Sequence, residues 1–318
     1  MELQYFFLVA ATSLGFISVT KQIFTFLKWV WVMFLRPPKN LKKQYGSWAI
    51  VTGSTDGIGK ALAFELASTG LNLILVGRNP TKLESTTTEI QEKYNQTLIK
   101  TIVLDLAKTS GEEIENAIKT GIEGLDIGIL INNAGLAYPY GRFFHEVDLE
   151  LMESVIRVNS EAATWVTRGV IPAMLRKKKG AIVNIGSGSS VIIPSYPLNA
   201  IYAATKAYLA MFSKCINLEY KQQGIDIQCQ IPLFVATKMT RMRKSNLFVA
   251  SPKMYAKASL RWIGYEKLCT PFWSHSVQWL ILQALPESLI DRSLFRYYLG
   301  LRKKAMEKEQ RRAKTENM

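Results

Sequence analysis

Trp48-Ala49-Ile50-Val51-Thr52-Gly53-Ser54-Thr55-Asp56-Gly57-Ile58-Gly59 is the stretch from which the rest of the chain can be read. Five residues suited to a buried strand run into three glycines spaced G-x-x-x-G-x-G. Ala61, Leu62, Phe64, Leu66 and Ala67 then follow with helical periodicity. A glycine-rich turn between a strand and a helix lets the backbone approach a pyrophosphate, which sits at the positive end of the helix. Gly70 ends the helix, and Leu71 to Val76 reads as a second strand, so a strand-helix-strand unit surrounds the motif.

Outward from this unit the alternation continues. Helical stretches over roughly 80–94 and 111–120 precede strands at 100–104 and 127–131, which end in Asp105 and in Asn132-Asn133-Ala134-Gly135. Polar residues at the carboxyl ends of parallel strands are where a doubly wound sheet binds its ligand. These elements predict an α/β fold, a Rossmann-type doubly wound parallel sheet. At the end of the second strand, where an acidic residue would accept the ribose hydroxyls of NAD, stands Gly77-Arg78-Asn79. A guanidinium there suits a 2′-phosphate and so favours NADPH.

A second stretch, Asn184 to Lys206, carries the chemistry. It places Ser187 and Ser189 at a strand end, then Tyr202 with Lys206 four residues on. Of thirteen tyrosines only Tyr202 has a lysine at that spacing. On a helix the two share a face. The ammonium is then expected to lower the pKa of the phenol and make it an acid-base group, while a serine hydroxyl holds a carbonyl against it.

Jointly, Thr52-Gly53-x-x-x-Gly57-x-Gly59, Asp105, Asn132-Asn133-Ala134-Gly135, Asn159, Ser187 and Tyr202-x-x-x-Lys206 resemble the short-chain dehydrogenase/reductase superfamily over roughly residues 47–240. The resemblance implies that Ser187 orients the carbonyl, Tyr202 transfers the proton, Lys206 lowers the tyrosine pKa and holds the nicotinamide ribose, and Asn159 maintains a water relay. Ser189, thirteen residues before Tyr202, competes with Ser187 for the carbonyl. Cofactor contacts are expected from Gly53, Ser54, Asp56, Gly57, Ile58 and Gly59 in the turn. Arg78, Asp105, Asn133, Tyr202, Lys206, Val235 and Thr237 are expected to complete them.

More narrowly, the chain is similar to the very-long-chain 3-oxoacyl-CoA reductases of fatty-acid elongation, which are related to 17β-hydroxysteroid dehydrogenases. The shared stretches are Thr55 to Lys60, Phe144 to Asp148, Ile193 to Pro197 and Pro232 to Met239. This implies an NADPH-dependent reduction of a 3-oxoacyl-CoA to the 3-hydroxyacyl-CoA, at the endoplasmic reticulum membrane with the catalytic part in the cytosol. The expected partners are a long-chain acyl-CoA, membrane lipid and other elongation enzymes. Two alternatives stay open: a steroid-type ketone as substrate, or a weakly active homologue serving as an interaction subunit. Ser54 departs from the pattern, standing where proline or alanine is expected beside the pyrophosphate.

The chain is 318 residues long, 48% hydrophobic and carries a net charge of +15. Tyr5 to Thr20 has no charge, and an apolar, tryptophan-containing run continues to Leu35. It supplies the about 20 apolar residues of a spanning helix. A cleaved signal peptide is a poorer fit, since no basic region precedes the run. A third arrangement lays Phe24 to Leu35 in the membrane interface. Arg36, Lys39, Lys42 and Lys43 follow the run and only Glu2 precedes it, which places the bulk of the protein on the cytosolic side. No finger, RNP or basic-zipper pattern accompanies the positive charge, so it points to anionic lipid or a phosphate-rich substrate and not to nucleic acid.

The expected organisation is an anchor and linker over 1–45, an NADP-binding domain over 46–240, a substrate lid and membrane-associated helical segment over 241–300, and a basic tail over 301–318. Met239, Met242, Leu247, Phe248 and Val249 are candidates for an apolar lid, and Arg241, Arg243 and Lys244 for contacts with coenzyme A phosphates. Phe272 to Leu285 is too short to span and reads as a membrane-surface helix or partner contact. Three widely spaced cysteines suggest neither a disulfide framework nor a zinc site, and His145 and His275 lack a ligand partner at useful spacing.

Overall fold

The structure, a computed structural model, describes residues 2–316; positions 317 and 318 of the expected basic tail lie outside the described residues. The chain divides into two compact units, Met1–Pro38 and Lys39–Met318.

In the first unit, α1 (Glu2–Val30) is one continuous helix followed by a π-helical turn at Trp31–Leu35. None of its residues is buried, and Phe6, Leu14, Phe16 and Phe24 stand exposed around it. A helix that is apolar around its circumference and buries none of its residues has lipid as its natural surroundings. Residues Glu2–Leu35 are long and apolar enough to cross a membrane. Polar side chains within it turn inward on the backbone: the Thr12 hydroxyl donates to Leu8 O at 2.9 Å, and Thr25 to Lys21 O at 2.8 Å.

The second unit is built on a seven-stranded, wholly parallel sheet in the order β3-β2-β1-β4-β5-β6-β7. After the short α2 (Leu41–Tyr45) come β1 (Trp48–Thr52), α3 (Gly57–Ser68), β2 (Asn72–Gly77), α4 (Pro80–Lys93), β3 (Ile99–Val103), α5 (Gly111–Gly121) and β4 (Ile127–Asn132). There follow α6 (Leu149–Ile156), α7 (Ala162–Lys177), β5 (Gly180–Ile185), the one-turn α8 (Gly188–Val191), α9 (Ala200–Tyr220) and β6 (Ile225–Gln230). The chain closes with α10 (Pro252–Trp262), β7 (Leu268–Cys269), α11 (Trp273–Gln283) and α12 (Glu287–Glu316).

The central strands read as unbroken apolar runs because helices cover both faces. Alternate residues supply two separate cores. Ala49, Val51, Leu73, Leu75, Ile129 and Ile131 face α3, α4 and α10. Ile50, Ile74, Val76 and Leu130 face α5, α7 and α9. The strand order reverses between β1 and its neighbours β2 and β4. A crevice opens at that point, outside the carboxyl ends of the strands.

The C-terminal third differs from expectation in two ways. Helix α11 buries Ser274 and His275, and Trp279 and Leu282 pack on Ile192, Ala210, Cys229 and Ile231, while Leu280, Ile281 and Gln283 stand exposed. One face of this segment is therefore core, not surface. Helix α12 runs unbroken across positions 300 and 301, where a substrate segment and a tail were set apart.

Candidate active site

At the turn after β1, Gly53 and Gly57 have φ of +63° and +53°, a left-handed backbone that side chains rarely adopt. A Cβ on Gly59 would lie 2.2 Å from Gly53 O and 2.3 Å from Asn133 Nδ2. The turn therefore has to be glycine for the backbone to close on itself and stay bare towards the crevice. Thr52 Oγ1 accepts from Asn133 N and Ala134 N, each at 3.0 Å, and Asn133 Nδ2 donates to Thr52 O at 3.0 Å. These bonds tie the ends of β1 and β4 into one rigid floor. Asp56 caps α3 through Gly57 N at 2.8 Å and pairs with Lys238 at 2.6 Å, linking the turn to the segment after β6.

The cleft above this floor has a volume of about 550 Å³. Gly53, Asp56, Gly57, Ile58, Arg78, Asn133, Tyr202, Lys206, Val235 and Thr237 all line it. Three expected cofactor residues do not. Ser54 is fully buried, its hydroxyl turned to Val76 O at 3.4 Å, so the substituted position leaves the surface of the turn unchanged. Gly59 serves packing, and Asp105 accepts from Ala107 N at 3.0 Å in the turn after β3.

Helix α9 buries Thr205, Lys206, Leu209, Ala210, Ser213 and Ile216 along one stripe and so presents Tyr202 and Lys206 to the cleft. Ser187 lines the same cleft as Tyr202, and its hydroxyl acts to lower the Tyr202 pKa. The Lys206 ammonium donates to Ile185 O at 2.9 Å and lies 6.0 Å from the Tyr202 ring centre. Ser187 lines the cleft and Ser189 stands behind it, donating through its hydroxyl to Ser187 Oγ at 2.9 Å. The two serines that spacing left as rivals thus form a relay, with Ser187 in front.

The electrostatics correct one expectation. Burial raises the Tyr202 phenol to about 12, opposed by the Ser187 hydroxyl, and burial lowers Lys206 to about 8. Desolvation, not the ammonium, sets the Tyr202 value here: removing water penalises the phenolate more than its neighbours repay. Tyr202 is accordingly held as a protonated donor at neutral pH.

Asn159 sits on a π-helical turn, Arg157–Glu161, inserted between α6 and α7. Such a bulge pushes a residue out of helical register. Fully buried, Asn159 accepts from Leu136 N at 2.7 Å and donates to Leu136 O at 2.9 Å and Thr205 Oγ1 at 3.0 Å. It thereby fixes the loop after β4 to the helix of Tyr202.

Two contributors were not legible in the sequence. His275, fully buried on α11, accepts from Leu233 N at 3.3 Å and pairs with Phe234 O at 3.1 Å, clamping the 233–235 segment that forms one wall of the cleft. Burial pushes this imidazole down to about 4, so it is neutral, Nδ1 the acceptor and Nε2 the donor. Helix α12 ties together the loops flanking Tyr202. Asp291 accepts from Ser195, the Tyr298 ring meets Tyr196 edge-on at 4.9 Å, and Arg302 pairs with Glu146 at 2.7 Å. Tyr196 in turn lies 6.1 Å from Tyr202. Of the candidate lid residues, Met239 lines the cleft, Val249 is buried, and Leu247 and Phe248 are exposed.

A doubly wound sheet with a bare glycine turn at its switch point and a Ser-Tyr-Lys constellation at the neighbouring strand end defines a nucleotide-dependent oxidoreductase. The chain belongs to the short chain dehydrogenase family, whose profile matches residues 47–247. It is 48% identical over 310 residues to a very-long-chain 3-oxoacyl-CoA reductase-like protein of Arabidopsis thaliana, spanning 96% of this chain and 97% of that one. It is 40% identical over 289 residues to the inactive hydroxysteroid dehydrogenase-like protein 1 of Homo sapiens, spanning 87% and 86%. Among solved structures, a short-chain dehydrogenase from Sphingobium yanoikuyae in complex with NADPH superimposes with a TM-score of 0.63 at 28% identity, covering 77% of this chain and 95% of that one.

Proposed function

We propose that the protein is an NADPH-dependent reductase that converts a very-long-chain 3-oxoacyl-CoA into the 3-hydroxyacyl-CoA. The observation that carries the reading is the cleft itself: one wall holds Ser187, Tyr202 and Lys206 together, while Arg78 stands at its rim beside the bare glycine turn. NADPH, when bound, supplies the hydride. Gly53 and Gly57 leave room for its pyrophosphate, and Arg78 offers a cation to its 2′-phosphate. Ser187 holds the 3-oxo oxygen against Tyr202, whose phenol gives its proton to the oxygen as hydride reaches the carbonyl carbon. Lys206 keeps positive charge beside the phenolate that is left, and Asn159 holds the loop and helix on either side in register. The Arabidopsis relative's name supports the acyl-CoA substrate; the Sphingobium complex supports the cofactor.

The apolar helix Glu2–Leu35 supports attachment to a membrane, which we assign to the endoplasmic reticulum, with the catalytic unit in the cytosol beside other elongation enzymes. A second reading is favoured by the name of the human relative, which marks an inactive protein: a chain of this fold acting as an interaction subunit. It leaves the intact Ser187-Tyr202-Lys206 arrangement without a purpose. The deciding experiment follows NADPH oxidation by the detergent-solubilised full chain with a long-chain 3-oxoacyl-CoA. Turnover lost in Tyr202→Phe is the expected result, and bound NADPH with no turnover on acyl-CoA or steroid ketones would favour the interaction subunit.

A further inference from the structure

Beside the catalytic cleft lies a larger cavity, about 990 Å³, that the proton and hydride chemistry does not use. It is bounded by α3, the start of α10, the 236–243 segment and the later turns of α12. It adjoins the cleft: Asp56, Gly57, Thr237, Lys238 and Arg241 line both. Its walls are strongly basic, and the basic groups fall into two kinds.

Some are already satisfied. Lys60 pairs with Glu89 at 2.7 Å, Lys238 with Asp56 at 2.6 Å, and Lys93 lies over the ring of Tyr94 at 5.2 Å. Four others, Arg241, Arg243, Lys253 and Lys308, have no carboxylate partner among the described residues. They outnumber Glu65 and Glu309, the two remaining carboxylates of the wall. Arg241, at the junction with the cleft, has φ +57°. A left-handed arginine is strained, and such strain persists where the surroundings impose it and gathers at binding sites.

We infer that this cavity is a phosphate-binding site, and that its ligand is the phosphorylated nucleotide end of the coenzyme A handle. The inference rests on the acyl-CoA reading above. The volume matches sites for molecules of this size, guanidinium groups suit phosphate oxygens, and the cavity shares a wall with the cleft that holds Tyr202. Of the three basic residues that sequence alone singled out here, Arg241 and Arg243 line the cavity and Lys244 does not. The same phosphate chemistry could be met by an anionic lipid headgroup, so the test separates the two.

Full-length wild type and Arg243→Glu/Lys253→Glu are compared at saturating NADPH on two substrates: a 3-oxoacyl-CoA and the same acyl group as an N-acetylcysteamine thioester, which lacks the nucleotide. Both substituted residues are exposed and outside the catalytic cleft. The expected result is a KM for the CoA thioester raised on the order of tenfold or more, with kcat and all constants for the short thioester unchanged. Adenosine 3′,5′-bisphosphate should inhibit wild type competitively and the variant weakly. Equal effects on both thioesters, or none on either, would overturn the inference. So would loss of binding to phosphatidylserine vesicles with KM unchanged, which would assign the site to lipid. If wild type reduces neither thioester, the acyl-CoA reading fails. Calorimetric binding of adenosine 3′,5′-bisphosphate to the NADPH-saturated protein then decides the site alone: binding lost in the variant supports it, and no binding to wild type refutes it.

Discussion

The two ends of the parallel sheet hold their charges in opposite ways. At the amino ends of the strands, Asp226 accepts from the Tyr45 hydroxyl at 2.6 Å and pairs with Lys39 and Lys221, while Asp126 pairs with Lys177 at 2.6 Å and accepts from Ser47 N at 2.8 Å. At the carboxyl ends Asp56 is matched by Lys238, but buried Lys206 has a carbonyl for a partner and Arg78 stands at the rim, neither with a carboxylate among the described residues. Matched charges hold elements together; an unmatched buried ammonium costs stability and is retained where a reaction or ligand needs it. Substitutions at the first end should therefore change stability with little effect on rate, and substitutions at the second should do the reverse.

The largest effect expected is at Tyr202. Tyr202→Phe removes one hydroxyl from the cleft and should lower kcat for reduction by roughly 10³-fold while NADPH still binds. A comparable fall in thermal stability would break the contrast. The same site sets the pH dependence. With Tyr202 at about 12 and Lys206 at about 8, the donor stays protonated through the neutral range and the ammonium is lost above pH 8. The rate of reduction, read as kcat/KM, should be level below pH 8 and fall above it; a break only near 12 would separate Lys206 from the reaction.

At the other end, Asp226→Asn should cost about 1–3 kcal/mol of unfolding free energy and leave kcat unchanged. Its ion pairs and the Tyr45 hydrogen bond outweigh the effect of burial and keep this carboxyl below its usual range, so the stabilisation is present at neutral pH and is lost as acid protonates it. His275 crosses the divide, since it is core in position and cleft-forming in effect. Its folded value, about 4, lies below the ordinary 6.5. Between these values the unfolded chain binds the extra proton, so stability falls as pH drops from 6.5 towards 4, by roughly 3 kcal/mol in all. Denaturant melts of wild type and His275→Gln across pH 4–7 should show this slope in the first and a flatter one in the second. The variant should also bind NADPH more weakly, because the 233–235 wall is no longer held.

Much of this was legible in the chain. Trp48 to Thr52 and Leu71 to Val76 read as strands because both faces are buried and every position except Asn72 is apolar or β-branched, and Gly53 and Gly57 read as a ligand-facing turn because their conformation excludes side chains. Tyr202 and Lys206 stood out because helical spacing is local. What stayed hidden depends on contacts between distant segments. The direction of the Tyr202 shift follows from burial by surrounding elements, which no spacing encodes. His275 showed only as a histidine without a ligand partner, because the groups it binds, Leu233 and Phe234, are some forty residues away. Helix α12 looked like a segment and a tail because its binding residues, Asp291, Tyr298 and Arg302, are spaced along a charged helix whose targets lie in two distant loops, at Glu146 and at Ser195-Tyr196. Ser187 was preferred and Ser189 kept as its competitor, since spacing alone does not show that the Ser189 hydroxyl donates to Ser187 Oγ from behind.

The smallest effect expected tests the outer rim of the cleft, at Arg78. It follows β2 at the edge of the crevice, exposed, and a Cβ added at Gly77 before it would lie 3.4 Å from the side chains of Leu83 and Thr55, so the backbone here runs between α4 and the turn after β1. That leaves the guanidinium as the adjustable part, able to meet a 2′-phosphate and with no carboxylate to lose. An exposed cation on a phosphate contributes modestly, and Arg78→Ala should raise the KM for NADPH by about 10-fold, a change near 1.4 kcal/mol, with kcat and unfolding free energy within error of wild type. Because NADH lacks the phosphate, its constants should not move. A parallel loss with both nucleotides would mean that Arg78 supports the turn and not the phosphate, and the contrast between the two ends of the sheet would then narrow to Tyr202 and Lys206 alone.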